Sequence, residues 1–179
     1  VKPPNRGLRQ DGPAVPRIVT RVEAPGPRRQ PNIVSIVDRG KTDTTYYLVM
    51  EFVDGPSLRE QMRNPLTMPG HALKMFSEIC KDIDYAHSRG VIHRDLKPDN
   101  IMVGSHGQVY VMDWGCAQVI GSDRSIVEGR VDPDGMVIGT VAYMAPEQAL
   151  GQIHRIDERT DVFGVGAILA RAPTGSAPY

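Results

Sequence analysis

Apolar positions along this chain do not keep one spacing. Residues 33–37 and 46–52 are rich in β-branched and aromatic side chains and flank the polar stretch Arg39-Gly40-Lys41-Thr42-Asp43, the pattern of two adjacent strands and a turn. Leu73, Phe76, Ile79, Ile83 and Ala86 recur at steps of three and four. That spacing lays one apolar stripe along a helix, which Gly90 can end in a left-handed conformation. Ser57-Leu58-Arg59-Glu60 has the form of a capping box and predicts a short helix to about Asn64. Val91-Ile92, Ile101-Met102-Val103 and residues 109–112 read as brief strands, the last two joined by a Gly/Ser-rich hairpin at 104–107. Asp161 is placed to cap a final helix through Ala170, with Pro173 as its stop. Before residue 32 the chain carries Pro3, Pro4, Pro13, Pro16, Pro25, Pro27 and Pro31, which oppose regular helix because each interior proline removes an amide donor.

Composition narrows the class only a little. The 179 residues suffice for one domain with a sizeable core, and 21 basic residues balance 21 acidic ones. No global field therefore draws the chain to nucleic acid or an anionic membrane, and phosphate chemistry must come from local sites. Cys80 and Cys116 form no paired spacing, which favours a reducing compartment such as the cytoplasm over a secreted scaffold. The longest apolar run, 162–170, contains glycines and falls far short of the roughly 20 residues of a spanning helix. Val1 and Tyr179 show no capping or tail character, so the sequence reads as a fragment. A parent protein could carry a membrane anchor elsewhere.

The chemistry concentrates in His93-Arg94-Asp95-Leu96-Lys97-Pro98-Asp99-Asn100, a predicted loop between two short strands. Asp113-Trp114-Gly115 follows at the end of a later strand, then Gly139-Thr140 and Ala145-Pro146-Glu147. An aspartate alone in a loop is usually a turn residue. Here a carboxylate, an ammonium and an amide stand within six positions, and an amide oxygen brought beside a second carboxylate supplies hard ligands for Mg²⁺. This ordered set resembles the protein kinase family, with its catalytic loop, magnesium motif and end of the activation segment. The similarity is to bacterial serine/threonine kinases of the eukaryotic-like (Hanks) type, with tryptophan in the magnesium motif and Lys97 in the catalytic loop.

The resemblance implies an α+β, two-lobe kinase fold, here truncated: a partial β-rich N-lobe and hinge over 1–53, and over 54–179 a mainly helical C-lobe lacking its last helices, with an activation segment at about 113–147. It implies transfer of the γ-phosphate of ATP to a Ser/Thr hydroxyl of a protein, with Mg²⁺ as cofactor and Mn²⁺ as an alternative. Asp95 accepts the hydroxyl proton, Lys97 neutralises the γ-phosphate, Thr140 bonds to both, and Asn100 with Asp113 holds metal. Met50, Glu51 and Val53 form the gatekeeper and hinge, and Met102 the floor under adenine. His93 is a packed structural residue, Trp114 and Gly115 complete the magnesium motif, and Asp161 braces the catalytic loop, a role compatible with capping. Glu147 belongs to an ion pair whose arginine lies beyond Tyr179. The family also suggests a kinase dimer for autophosphorylation.

The chain departs from the family pattern at its start. No glycine-rich G-x-G-x-x-G lid is present, and Lys2 is the candidate for the nucleotide-binding lysine, against the plain reading of a solvated terminal lysine. The spacing for its glutamate partner selects Arg21, with Glu23 two positions on. These departures keep a second reading open, a pseudokinase or inactive fragment acting as a scaffold. Arg94 beside Asp95 suggests control by an anion in the activation segment, either a phosphate at Ser122 or Ser125 or the carboxylates Glu128, Asp132 and Asp134; a mobile solvated loop is the plain alternative. Val162, Phe163, Ile168 and Leu169 are expected as an uncovered apolar patch that leaves the chain marginally stable.

Overall fold

The computed structural model describes residue 34 and residues 36–41, 46–63, 72–120 and 141–174. Lys2, Arg21, Glu23, the proline-rich start, Ser122, Ser125, Glu128, Asp132, Asp134, Gly139 and Thr140 lie outside the described residues.

Strands β1 (Ile36–Lys41) and β2 (Tyr46–Met50) pair antiparallel, Ile36 opposite Met50 and Lys41 opposite Tyr46, with an irregularity between Ile36 and Asp38. The apolar run at 33–37 predicts an earlier strand. The paired one instead takes in Arg39, Gly40 and Lys41, because the partner strand fixes register more firmly than local hydrophobicity does. The segment after β2 is fastened at its far end: the Ser105 amide donates to the Asp54 carbonyl at 3.0 Å, and the Val103 amide to that of Pro56 at 2.9 Å. A Cβ on Gly55 would lie 1.9 Å from the Val103 carbonyl oxygen. Only glycine lets the two backbones approach so closely.

Helix α1 (Leu58–Met62) opens on the expected capping box: Ser57 Oγ accepts the Glu60 amide at 3.2 Å and Glu60 Oε2 accepts the Ser57 amide at 2.8 Å. Helix α2 (Ala72–Ser88) buries Met75, Phe76, Ile79, Ile83 and Ala86 and ends at Gly90, whose φ is 69°. Leu73 is a correction, being 83% exposed. At 100° per residue it stands about 120° from the centre of the buried arc, so it cannot share the inward face.

Strands β3 (Val91–Ile92), β4 (Ile101–Val103) and β5 (Val109–Val111) occur where apolar runs predict them, β4 and β5 pairing as a hairpin. β3 pairs with β6 (Gln118–Val119), which no apolar run announces. Helix α3 (Pro146–Ala149) is a single turn, and α4 (Glu158–Thr174) carries on past Ala170 and through Pro173, where a proline near the end removes only one amide bond. The cap of α4 is Asp157, which accepts the Arg159 amide at 2.9 Å. Asp161 lies one turn inside the helix, so its carboxylate points elsewhere.

α2, α4 and the β4–β5 hairpin enclose one core in which Ile79, Ile101, Val109, Val111 and Ile168 are fully buried. Each such side chain contributes about 1.5–3 kcal/mol by leaving water. Leu96 of the predicted catalytic loop enters the same cluster, and a Cβ on Gly164 of α4 would meet Leu96 Cβ at 3.0 Å. The loop thus rests directly on helix backbone. Of the patch expected on α4, Val162 and Leu169 are exposed, whereas Phe163 is half-buried and Ile168 is core. No helix among the described residues is long and apolar enough to cross a membrane.

Candidate active site

Strand β3 delivers the chain into the loop 93–97, and a 3-10 turn at Pro98–Asn100 returns it to β4. Within that span three side chains meet. Lys97 Nζ stands 2.7 Å from Asp95 Oδ2, and Asn100 Nδ2 donates to the same oxygen at 3.1 Å and to the Asp95 carbonyl at 2.8 Å. The Asp95 and Lys97 side chains are 15% and 19% exposed, reachable from solvent yet shielded enough for charge–charge contact to matter.

The loop is held from behind by buried polar groups. Asp161 accepts the amides of His93 and Arg94, each at 2.8 Å, and His87 Nε2 lies 2.8 Å from its Oδ2. His93 is fully buried, accepts the Asp95 amide at Nδ1 (3.2 Å) and reaches the Met112 carbonyl with Nε2 (2.9 Å). A carbonyl can only accept and an amide can only donate, so His93 is held as the Nε2–H tautomer. Its ring also lies 4.6 Å from that of Trp114, centroid to centroid.

Asp113 follows directly. The Met112 amide donates to the Asn100 carbonyl at 2.8 Å, extending the β4–β5 pairing by one step, so Asp113 stands one residue beyond it. Its carboxylate is exposed and accepts the Gly115 amide at 3.4 Å. Among the described non-glycine residues, positive φ occurs only at Arg94 (66°) and Asp113 (60°). Such strain, about 1–3 kcal/mol per residue, persists only where surroundings over-determine it.

The donor set fits a divalent cation shared with a nucleotide. Asn100 spends its NH₂ on Asp95, and among the described residues no hydrogen bond reaches its Oδ1. Asn100 and Asp113 therefore offer hard oxygens. No group of three His, Cys, Asp or Glu that could hold a metal ion occurs among the described residues.

Comparison with known proteins agrees with this geometry. The protein kinase domain family model matches residues 19–179. The chain belongs to the protein kinase family. Among its relatives, serine/threonine-protein kinase PknB of Mycobacterium leprae (strain TN) is 37% identical over 154 residues, covering 83% of this chain and 24% of its own length. Probable serine/threonine-protein kinase PknB of Lactococcus lactis subsp. lactis (strain IL1403) is 36% identical over 170 residues, 94% of this chain and 26% of that protein. Serine/threonine-protein kinase PknD of Protochlamydia amoebophila (strain UWE25) is 36% identical over 165 residues, 79% of this chain and 16% of that protein. The kinase chain thus spans about a quarter or less of the length of these relatives.

Elsewhere in this kinase domain the expected site residues are less enclosed. Met50 is 42% exposed, Glu51 is exposed and Val53 half-buried, while Met102 is half-buried and bridged to Ser57. Arg94 donates from Nε to the Cys116 carbonyl at 2.7 Å and from Nη1 to Gln118 Oε1 at 3.3 Å. Glu147 accepts the Thr160 hydroxyl at 2.6 Å. The sequence reading overlooked Thr160, His87 and Gln148, whose Nε2 donates to the Arg94 carbonyl at 2.7 Å. Thr160 and His87 carry no local signal. Gln148 does carry one, since glutamine at the third position of a helix is placed to cap it.

Proposed function

We propose that this domain transfers the terminal phosphoryl group of ATP to a serine or threonine hydroxyl of a protein. The observation that carries the proposal is the Asp95–Lys97–Asn100 cluster, hydrogen-bonded within itself and tied through Met112 to Asp113. Asp95 orients the incoming hydroxyl and takes its proton as the oxygen bonds to phosphorus and the ADP oxygen departs. Lys97, now paired with Asp95, offsets negative charge on the transferred group. Asn100 Oδ1 and Asp113 would hold the magnesium ion, which would supply positive charge to offset that of the phosphates when bound. Little covalent work falls to the protein, so positioning supplies most of the rate gain.

The hinge completes the reading, with the Glu51 carbonyl and Val53 amide meeting adenine, Met50 as gatekeeper and Met102 beneath the ring. Lys2 is proposed to contact the nucleotide phosphates and Thr140 to bond Asp95 and Lys97. Residues 1–53 belong to the nucleotide lobe and hinge, 54–179 to the substrate lobe, with the activation segment at about 113–147. A cytoplasmic site of action, where ATP is plentiful, and pairing with a second copy for autophosphorylation accord with this activity.

Labelled γ-phosphate should pass from Mg-ATP to a generic protein substrate, and Asp95→Ala should lower the rate by about 10²–10⁴-fold. The variant should still show an ATP- and Mg²⁺-dependent rise in melting temperature. Nucleotide binding by the unaltered chain with no transfer to any protein would instead favour a scaffold.

A further inference from the structure

Gln148 makes hydrogen bonds of opposite sense. Its Oε1 accepts the Ala145 amide at 3.2 Å while its Nε2 donates to the Arg94 carbonyl at 2.7 Å. One side chain therefore joins the first turn of α3, just after Ala145-Pro146-Glu147, to the peptide group that leads into Asp95. Both ends of the amide are matched, so flipping it would set oxygen against oxygen and N–H against N–H.

The peptide so held is the one that most needs holding. Arg94 has φ of 66°, a conformation costing an arginine about 1–3 kcal/mol. Its amide is fixed by Asp161 of α4 at 2.8 Å and its carbonyl by Gln148 of α3. The peptide groups on both sides of the Arg94 Cα are thus clamped from different helices. The Arg94 carbonyl and the Asp95 amide belong to one planar unit, and that amide meets His93 Nδ1 at 3.2 Å. Releasing Gln148 would let this plane rotate, carrying the root of the Asp95 side chain with it.

We propose that Gln148 is a positioning residue which, within the kinase reading above, makes the alignment of Asp95 depend on the docking of α3. The seating of the activation segment's end is thereby sensed where the substrate hydroxyl reacts, with no contact between Gln148 and substrate. Gln148→Glu separates this role from helix capping. Glutamate keeps the size and the acceptor for the Ala145 amide, and adds negative charge at a helix start. It places an acceptor against the Arg94 carbonyl.

The expected result is a melting temperature no lower than that of the unaltered chain, a kcat reduced by about tenfold, and KM for ATP and substrate unchanged within about twofold. Amide hydrogen exchange across residues 93–97 should be faster. Gln148→Met, which removes both bonds, should show the same faster exchange and also melt lower. A Gln148→Glu protein with unaltered kcat and exchange overturns the proposal, as does a loss of kcat that only follows a loss of stability. Failure of the unaltered chain to transfer phosphate would sink the kinase reading alone. Exchange at 93–97 then still decides the clamp: unchanged protection in Gln148→Glu, or in Gln148→Met should the first variant not fold, overturns it.

Discussion

The loop at 93–100 and the proposed hinge around 50–53 are built on opposite principles. In the loop, His93 and Asn100 are buried, Asp95 and Lys97 are mostly so, and hydrogen bonds run from α3, α4 and the strand end at Met112 into a span of eight residues. Around the hinge, Val37, Val49, Met50 and Phe52 are 69%, 42%, 42% and 84% exposed, and order rests on pairing between two strands and a few backbone bonds to the β4–β5 hairpin. The difference accords with the proposed roles: transferring a proton and a phosphoryl group would reward fixed geometry, whereas gripping a planar base would ask for apolar surface and backbone donors that can adjust.

The sharpest way to break that contrast is to remove the brace behind the loop. Asp161→Ala strands the buried amides of His93 and Arg94 and the ring nitrogen of His87. Urea unfolding should record a loss of about 3–5 kcal/mol. A loss below about 1 kcal/mol would mean that the loop holds itself.

Apolar substitutions in the two regions sharpen it further. Ile168→Ala empties a fully buried site beneath the loop and should destabilise by about 2–5 kcal/mol. Phe52→Ala removes a larger side chain that is 84% exposed and should change stability by no more than about 0.5 kcal/mol. Equal effects on the same unfolding curves would show that the hinge is packed more tightly than its exposure indicates.

The smallest expected effect lies at the entrance to α4. Hydrogen bonding to the Arg159 guanidinium holds the Asp157 carboxyl below its ordinary value of 3.8. A lowered folded value means that the charged form stabilises the fold above the unfolded value, and that this contribution is lost as pH falls through the folded one. The pair is on the surface, so solvent screens it and the contribution is small. Asn caps as well as Asp. In acid unfolding curves Asp157→Asn should therefore fall slightly behind the unaltered chain above the ordinary value of 3.8 and draw level with it as pH drops through the lowered folded value.

The candidate reacting groups were more legible in the linear sequence than the groups that support them. Asp95, Lys97, Asn100 and Asp113 stand in ordered motifs, and the capping box, the Gly90 stop and the β4–β5 hairpin arise from interactions within a few residues, which local sequence specifies. Local signals also misled in instructive places. Leu73 keeps a helical step from Phe76 yet faces water, and β1 begins later than its apolar run because pairing with β2 outweighs propensity. What only tertiary structure decided is long-range: that His87, far from it in sequence, joins Asp161 behind the loop that aspartate was expected to brace; that Gln148 reaches Arg94; that Thr160 answers Glu147; and that Gln118-Val119 becomes a strand. A hydrogen bond between distant segments leaves no periodicity in either one, since each group could equally bond to water until packing brings its partner near.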